Sequence, residues 1–200
     1  VRFGRDAQGK HLLAKGGGGE VKIEFDAVLV AVGRRAHTES LGLAELGCEI
    51  RRDGTLIVDD YQRTRVRNVF ACGDATGPYQ FTHMASHQAW YATVNALFGT
   101  FRRVRADYRV VPWATFTDPE VARVGLNEQE ALARGIPVDV TTYGIDDLDR
   151  AIADGEAHGF VKVLTAPGTD RILGVTIAGE HAGDLIAEFV LAMKHGLGLN

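Results

Sequence analysis

The sequence predicts an α/β first half followed by an α+β second half with an antiparallel sheet and flanking helices. Three observations predict it. Residues 26–33, DAVLVAVG, form a near-continuous apolar run, the pattern of a strand covered on both faces of its sheet. Residues 82–98 place Ala85, Ala89, Ala92 and Ala96 at i, i+4, i+7 and i+11, a helix face suited to close packing. Residues 159–166 (GFVKVLTA) and 171–179 (RILGVTIAG) flank a Pro-Gly-Thr-Asp turn, which reads as a hairpin.

Composition bounds the rest. The 200 residues are 46% hydrophobic and 24% charged, which is ordinary soluble globular material for one large or two small domains. A net charge of −4 offers no electrostatic footprint for nucleic acid, and the short basic cluster FRRVR (101–105) reads as a solvated connection. Membrane association is not expected, because AVLVAV (27–32) is short and LIAEFVLAM (185–193) is interrupted by Glu188. The opening VRFGRDAQGK has neither an initiator methionine nor a signal peptide and looks cut from something longer. Cys48 and Cys72 have no redox-pair or zinc spacing, and they read as small core fillers in a reduced, cytoplasmic setting.

In chain order, VRF, a turn at DAQG, HLLAK, a GGGG tip at 16–19 and VKIEF predict a hairpin that leads into the strand 26–33. A helical or looped stretch, ESLGLAELG, follows, and then strands at 55–60 (TLIVDD) and 68–74 (NVFACGD). The helix 82–98 takes Thr82 as N-cap and Gly99 as stop, with Trp90, Val94 and Leu97 as a bulkier stripe beside the alanines. A second domain is expected from about Ala106. It has strands in WATFT and VARVGL, and a helix in NEQEALARG with a capping box of Asn127 and Glu130. VDVTTYG is a further strand and IDDLDRAIADGE an irregular acidic stretch. After the hairpin, the helix 181–195 carries Leu185, Ile186, Phe189, Val190 and Met193 on its apolar side.

Few motifs carry chemistry. GRDAQGKH (4–11) has the GxxxxGK spacing of a phosphate loop, but His11 replaces the hydroxyl residue and no helix can follow, so a hairpin turn is expected. No GxGxxG occurs. His83 and His87 share a helix face but lack a third ligand, and they read as satisfied or solvent-facing rather than metal-binding. The stretch NVFACGDATGPYQFTH is more specific. Small residues Ala71, Cys72 and Gly73 let a ligand approach the backbone, and Asp74 presents an acceptor-only carboxylate. Its partners are either ligand hydroxyls or the backbone N–H groups of the following turn, and the helix opening at Thr82 favours negative charge before it.

The segments DAVLVAVGRR, LGL, NVFACGDATG, QFTHMASHQA, FTDPEVARVGLNEQEA, GFVKVL and ILGVTIAGEHAGDLIAEFVLAMKHGL occur in an order that resembles the pyridine nucleotide–disulfide oxidoreductases. The likeness is to their mercuric reductase-like and dihydrolipoamide dehydrogenase-like branch. It implies an oxidoreductase that passes hydride from NAD(P)H to FAD and then electrons to a cysteine pair. It also implies that residues 1–37 end an NAD(P) domain, 38–105 complete an FAD domain, and 106–200 form most of a homodimer interface. Gly33 would lie by the pyridine nucleotide. Gly73 and Asp74 would meet the FAD ribityl chain, and Thr82, His83, Met84 and Ala85 the isoalloxazine, where reduction accumulates negative charge.

This chain departs from the family pattern in carrying Ala36-His37 where a Pro-Asn pair usually follows VGR. It also lacks the CxxxxC pair, both GxGxxG fingerprints and the HPTxxE segment. No residue here is therefore assigned a catalytic role, and the 200 residues alone are expected to be inactive. The substrate, whether mercuric ion, dihydrolipoamide or another disulfide, and the choice of NADH or NADPH depend on those parts. The competing reading is a non-catalytic homodimerisation module.

Overall fold

A computed structural model describes all 200 residues. It begins with three antiparallel strands, β1 (Arg2–Asp6), β2 (Gly9–Gly16) and β3 (Gly19–Glu24), in the order β1-β2-β3. The GRDAQGKH stretch is the β1–β2 hairpin, with Asp6 paired to Gly9 and the Asp6 carboxylate accepting the Gln8 N–H at 2.9 Å.

Residues 26–33 correct the expectation drawn from their pattern. They join no sheet, and Leu29 and Val32 are each 90% exposed. An apolar run becomes a doubly covered strand only when neighbouring strands satisfy its backbone and helices cover its faces. Nothing in the 200 residues does either. The strands expected at 55–60 and 68–74 shrink, for the same reason, to the isolated pairings Ile50–Leu56 and Arg63–Phe70. ESLGLAELG is a run of turns.

The long helix α1 spans Thr82–Phe98, as expected, but its N-cap is Phe81 in extended backbone, with no side-chain cap. Thr82 is therefore the first helical residue. Its buried face is Met84, Gln88, Ala92 and Asn95, while Trp90, Leu97 and Ala96 are exposed. The buried stripe is thus half polar, which hid it from a reading based on hydrophobic periodicity.

The second half is an antiparallel sheet in the order β4-β5-β8-β7-β6, formed by β4 (Pro112–Thr115), β5 (Val121–Gly125), β6 (Asp139–Gly144), β7 (Phe160–Thr165) and β8 (Ile172–Ala178). Helix α4 (Ala182–His195) packs across one face. The register aligns Val124 with Val175 and Val175 with Val163. These side chains close a core with Ala122, Ile172, Ile177, Ala182 and Ile186. Each of the valine and isoleucine side chains contributes about 1.5–3 kcal/mol on burial. The opposite face carries the row Trp113, Arg123, Thr176 and Lys162. Arg123 lies over the Trp113 ring at 4.6 Å and pairs with Glu130.

Glu130 belongs to α2 (Glu128–Ala133), whose capping box forms as the sequence predicts: Asn127 Oδ1 accepts the Glu130 N–H at 2.8 Å. The acidic stretch expected to be irregular contains a short helix, α3 (Asp149–Asp154), ended by Gly155 at φ +78°. No helix is long and apolar enough to cross a membrane.

Candidate functional site

The site begins with the backbone at Gly73. Its φ of +70° is a left-handed conformation open to glycine, and a Cβ there would stand 3.0 Å from the Ala85 Cβ. The turn Gly73–Ala75 therefore rests directly on the first turns of α1. The Gly73 carbonyl accepts the Thr76 N–H at 2.9 Å and the Thr76 hydroxyl at 3.0 Å. The Leu56 N–H donates to the Ala75 carbonyl at 2.7 Å. The Arg51 guanidinium binds the Leu56 and Thr76 carbonyls, each at 3.1 Å.

Thr76 closes the turn, so Asp74 does not. The half-buried Asp74 carboxylate has no hydrogen-bond or ion-pair partner within the chain. Close by, α1 opens with no side-chain cap and no acidic residue in its first turn. The chain itself thus leaves both an acceptor and the positive end of a helix dipole unmatched.

The other expected site residues divide. Ala85 lies against Gly73, the residue before Asp74, through the close backbone approach. Thr82 is exposed in the first turn, whereas Met84 is 3% exposed and faces the interior. His83 turns away: its Nε2 sits 2.8 Å from the Pro112 carbonyl, and its ring stacks on Phe81 at 5.3 Å. His87, one turn later, places Nε2 2.9 Å from the Asp107 carbonyl. Their spacing of four residues serves to bind the chain segment after α1. Gly33 is exposed at φ +115° with open space around it, and is not brought against the turn. Its neighbour Arg34 donates to the Gln80 carbonyl at 2.7 Å.

Sequence reasoning missed the residues that hold the turn from behind. Gln88 accepts the Gly73 N–H at 2.6 Å through Oε1 and donates to the Tyr108 hydroxyl at 3.1 Å. Burial pushes the Tyr108 phenol up, an effect the bonds from Gln88 and Gln62 oppose. The signal was the i, i+4, i+8, i+11 stripe of Met84, Gln88, Ala92 and Asn95, with its two amides counted as polar. Cys48 is buried and Cys72 half-buried, and both are free thiols. No group of three or more His, Cys, Asp or Glu side chains is placed to hold a metal ion.

Comparison with known proteins matches this architecture along nearly its whole length. Residues 2–89 match the family model described as pyridine nucleotide-disulphide oxidoreductase, and residues 111–200 match that family's dimerisation domain. A dihydrolipoyl dehydrogenase of Chlamydia muridarum is 40% identical over 176 residues, covering 88% of this chain and 37% of the relative. A mycothione reductase of Mycobacterium tuberculosis is 39% identical over 178 residues, covering 88% and 39%. Among solved structures, the HOCl-induced flavoprotein disulfide reductase RclA from Escherichia coli superposes with a TM-score of 0.79 at 28% identity, over 89% of this chain and 41% of that one. The chain thus spans well under half the length of these relatives. With one family's models matching in order on both sides of the segment 90–110, the chain belongs to the pyridine nucleotide-disulphide oxidoreductase family.

Proposed function

We propose that these 200 residues belong to an FAD-dependent oxidoreductase that takes hydride from NAD(P)H and delivers electrons, through a cysteine pair outside this stretch, to a disulfide or metal-ion substrate. Members of the family use FAD and NAD(P)H. One observation carries the assignment of the site: the Asp74 carboxylate is partnerless beside an uncapped helix start, on a turn closed by other residues.

The donor set fits the cofactor. Asp74 would accept the ribityl hydroxyls, which are donors in search of an anionic acceptor. The first-turn amides of α1, at Thr82 and His83, would stabilise negative charge on the ring. Gly73 against Ala85 would let the cofactor approach the backbone without a side chain between. When bound, FAD supplies the electron relay between nicotinamide and thiol chemistry, while the protein supplies position and charge.

In this reading residues 1–37 end the NAD(P) domain, 38–105 complete the FAD domain, and 106–200 pair with a second copy in a cytoplasmic homodimer. Leu185 and Leu191, more than half exposed on α4, support a covered face there.

Purification of the full-length protein tests the proposal. It should carry stoichiometric flavin, lose the visible flavin absorption on anaerobic addition of NADH or NADPH, and run as a dimer by light scattering. The 200 residues alone should show no NAD(P)H turnover with disulfide or mercuric acceptors. A flavin-free dimer would favour the plain homodimerisation module, a flavin-free monomer would contradict both readings, and turnover by the 200 residues would contradict the need for the outside cysteines.

A further inference from the structure

Gln88 is 1% exposed in the middle of α1, yet every polar atom of its side chain is used. Oε1 accepts the Gly73 N–H at 2.6 Å and lies 3.4 Å from the Thr76 hydroxyl, and Nε2 donates to Tyr108 at 3.1 Å. The Tyr108 hydroxyl also accepts from Gln62 Nε2 at 2.6 Å, and its ring stacks on Tyr79 at 5.8 Å. Gln62 is itself 1% exposed at φ +63°, with Oε1 buried and unpartnered. Two amides and a phenol therefore join the site turn to the connection between the two family-matched regions.

That connection is fastened along α1. Asn95 exchanges two hydrogen bonds with the Val104 backbone, each at 2.8 Å, and His87 holds the Asp107 carbonyl. Gly73 has no side chain to hold it, and Gln88 supplies the acceptor for its amide. Met84 and Ala92 are buried on the same face, one turn to either side of Gln88. The placement of Asp74 thus depends on where the N–H one residue before it is held, that N–H on the Gln88 acceptor, and the orientation of Gln88 on Tyr108.

We propose that Gln88 is the positioning residue of the Asp74 turn, oriented by Tyr108, so that the connection between the two halves sets how the carboxylate meets the cofactor. The role rests on the FAD reading above and extends it to residues that would not touch the cofactor.

The test uses the full-length protein. Gln88→Met keeps length and burial but removes the acceptor, and it should weaken FAD binding roughly tenfold or more and shift the visible spectrum of the flavin that remains. Tyr108→Phe should weaken binding less. Gln88→Glu, which restores an acceptor for Gly73, should recover part of the loss. In an Asp74→Ala background Gln88→Met should add little, because the two act through one contact. Ala92→Gly, on the same buried face but outside the relay, should lower the urea midpoint and leave FAD affinity in place. In the 200-residue chain, Gln88→Met should speed hydrogen exchange at the Gly73 amide. Tight FAD binding by Gln88→Met, or full additivity with Asp74→Ala, would overturn the positioning role alone. A full-length protein without flavin would overturn the proposed function and this role together.

Discussion

At Gly73 two requirements coincide: a φ of +70° and an approach to Ala85 so close that a Cβ would stand 3.0 Å from the Ala85 Cβ. Gly73→Ala combines the left-handed penalty of about 1–2 kcal/mol with displacement of the turn from α1. The expected result is a lower urea midpoint with unchanged slope, measured on the 200-residue chain. Asp74 was legible as an acceptor at a ligand-accessible turn, but its alternative role in closing that turn was equally legible. The structure bears on the second alone, because Thr76 occupies the turn-closing position. Gln88 was not legible, since nothing in a linear sequence says that a glutamine in an alanine-rich helix faces inward toward a backbone amide fifteen positions earlier.

The elements read well wherever local chemistry decides them. The capping box at Asn127 and Glu130, the turn before β8 and the span of α1 depend on neighbours in sequence, and all three form. The run 26–33 failed because a strand covered on both faces depends on partners that no local pattern supplies. The cluster 101–105 was expected to be a solvated connection and is largely exposed, while the residues just after it fasten α1 to the second half. Asp107 sits between Arg109, with contacts of 2.9 and 2.8 Å, and Lys194 of α4 at 2.7 Å. Arg109 first, and then Lys194, hold its carboxyl far below the usual carboxylate range. A depressed folded value contributes stability that is complete above the unfolded value of about 4 and is lost as pH falls from there toward the folded one. Asp107→Asn should therefore lower the melting temperature at neutral pH, and the gap from the parent should narrow as pH drops below about 4. A gap that stays constant through acid would detach the pair from stability.

For the whole molecule, the α/β-then-α+β order and the antiparallel second sheet were legible, because ordered short segments name a family even where each is weak alone. What stayed illegible is how the halves communicate. His83 and His87, read from spacing as satisfied or solvent-facing, have their rings on the Pro112 and Asp107 carbonyls, while Tyr108 reaches back to Gln88. The Gly73–Ala75 turn and the region matching the dimerisation domain are thus both hydrogen-bonded to one helix. The central claim is that Asp74 on this turn holds the ribityl chain of FAD, and the most direct measurement is the FAD dissociation constant of Asp74→Ala in the full-length protein. Loss of a charge-assisted acceptor should weaken binding roughly tenfold or more with far-ultraviolet circular dichroism unchanged. An FAD affinity equal to that of the parent would contradict it.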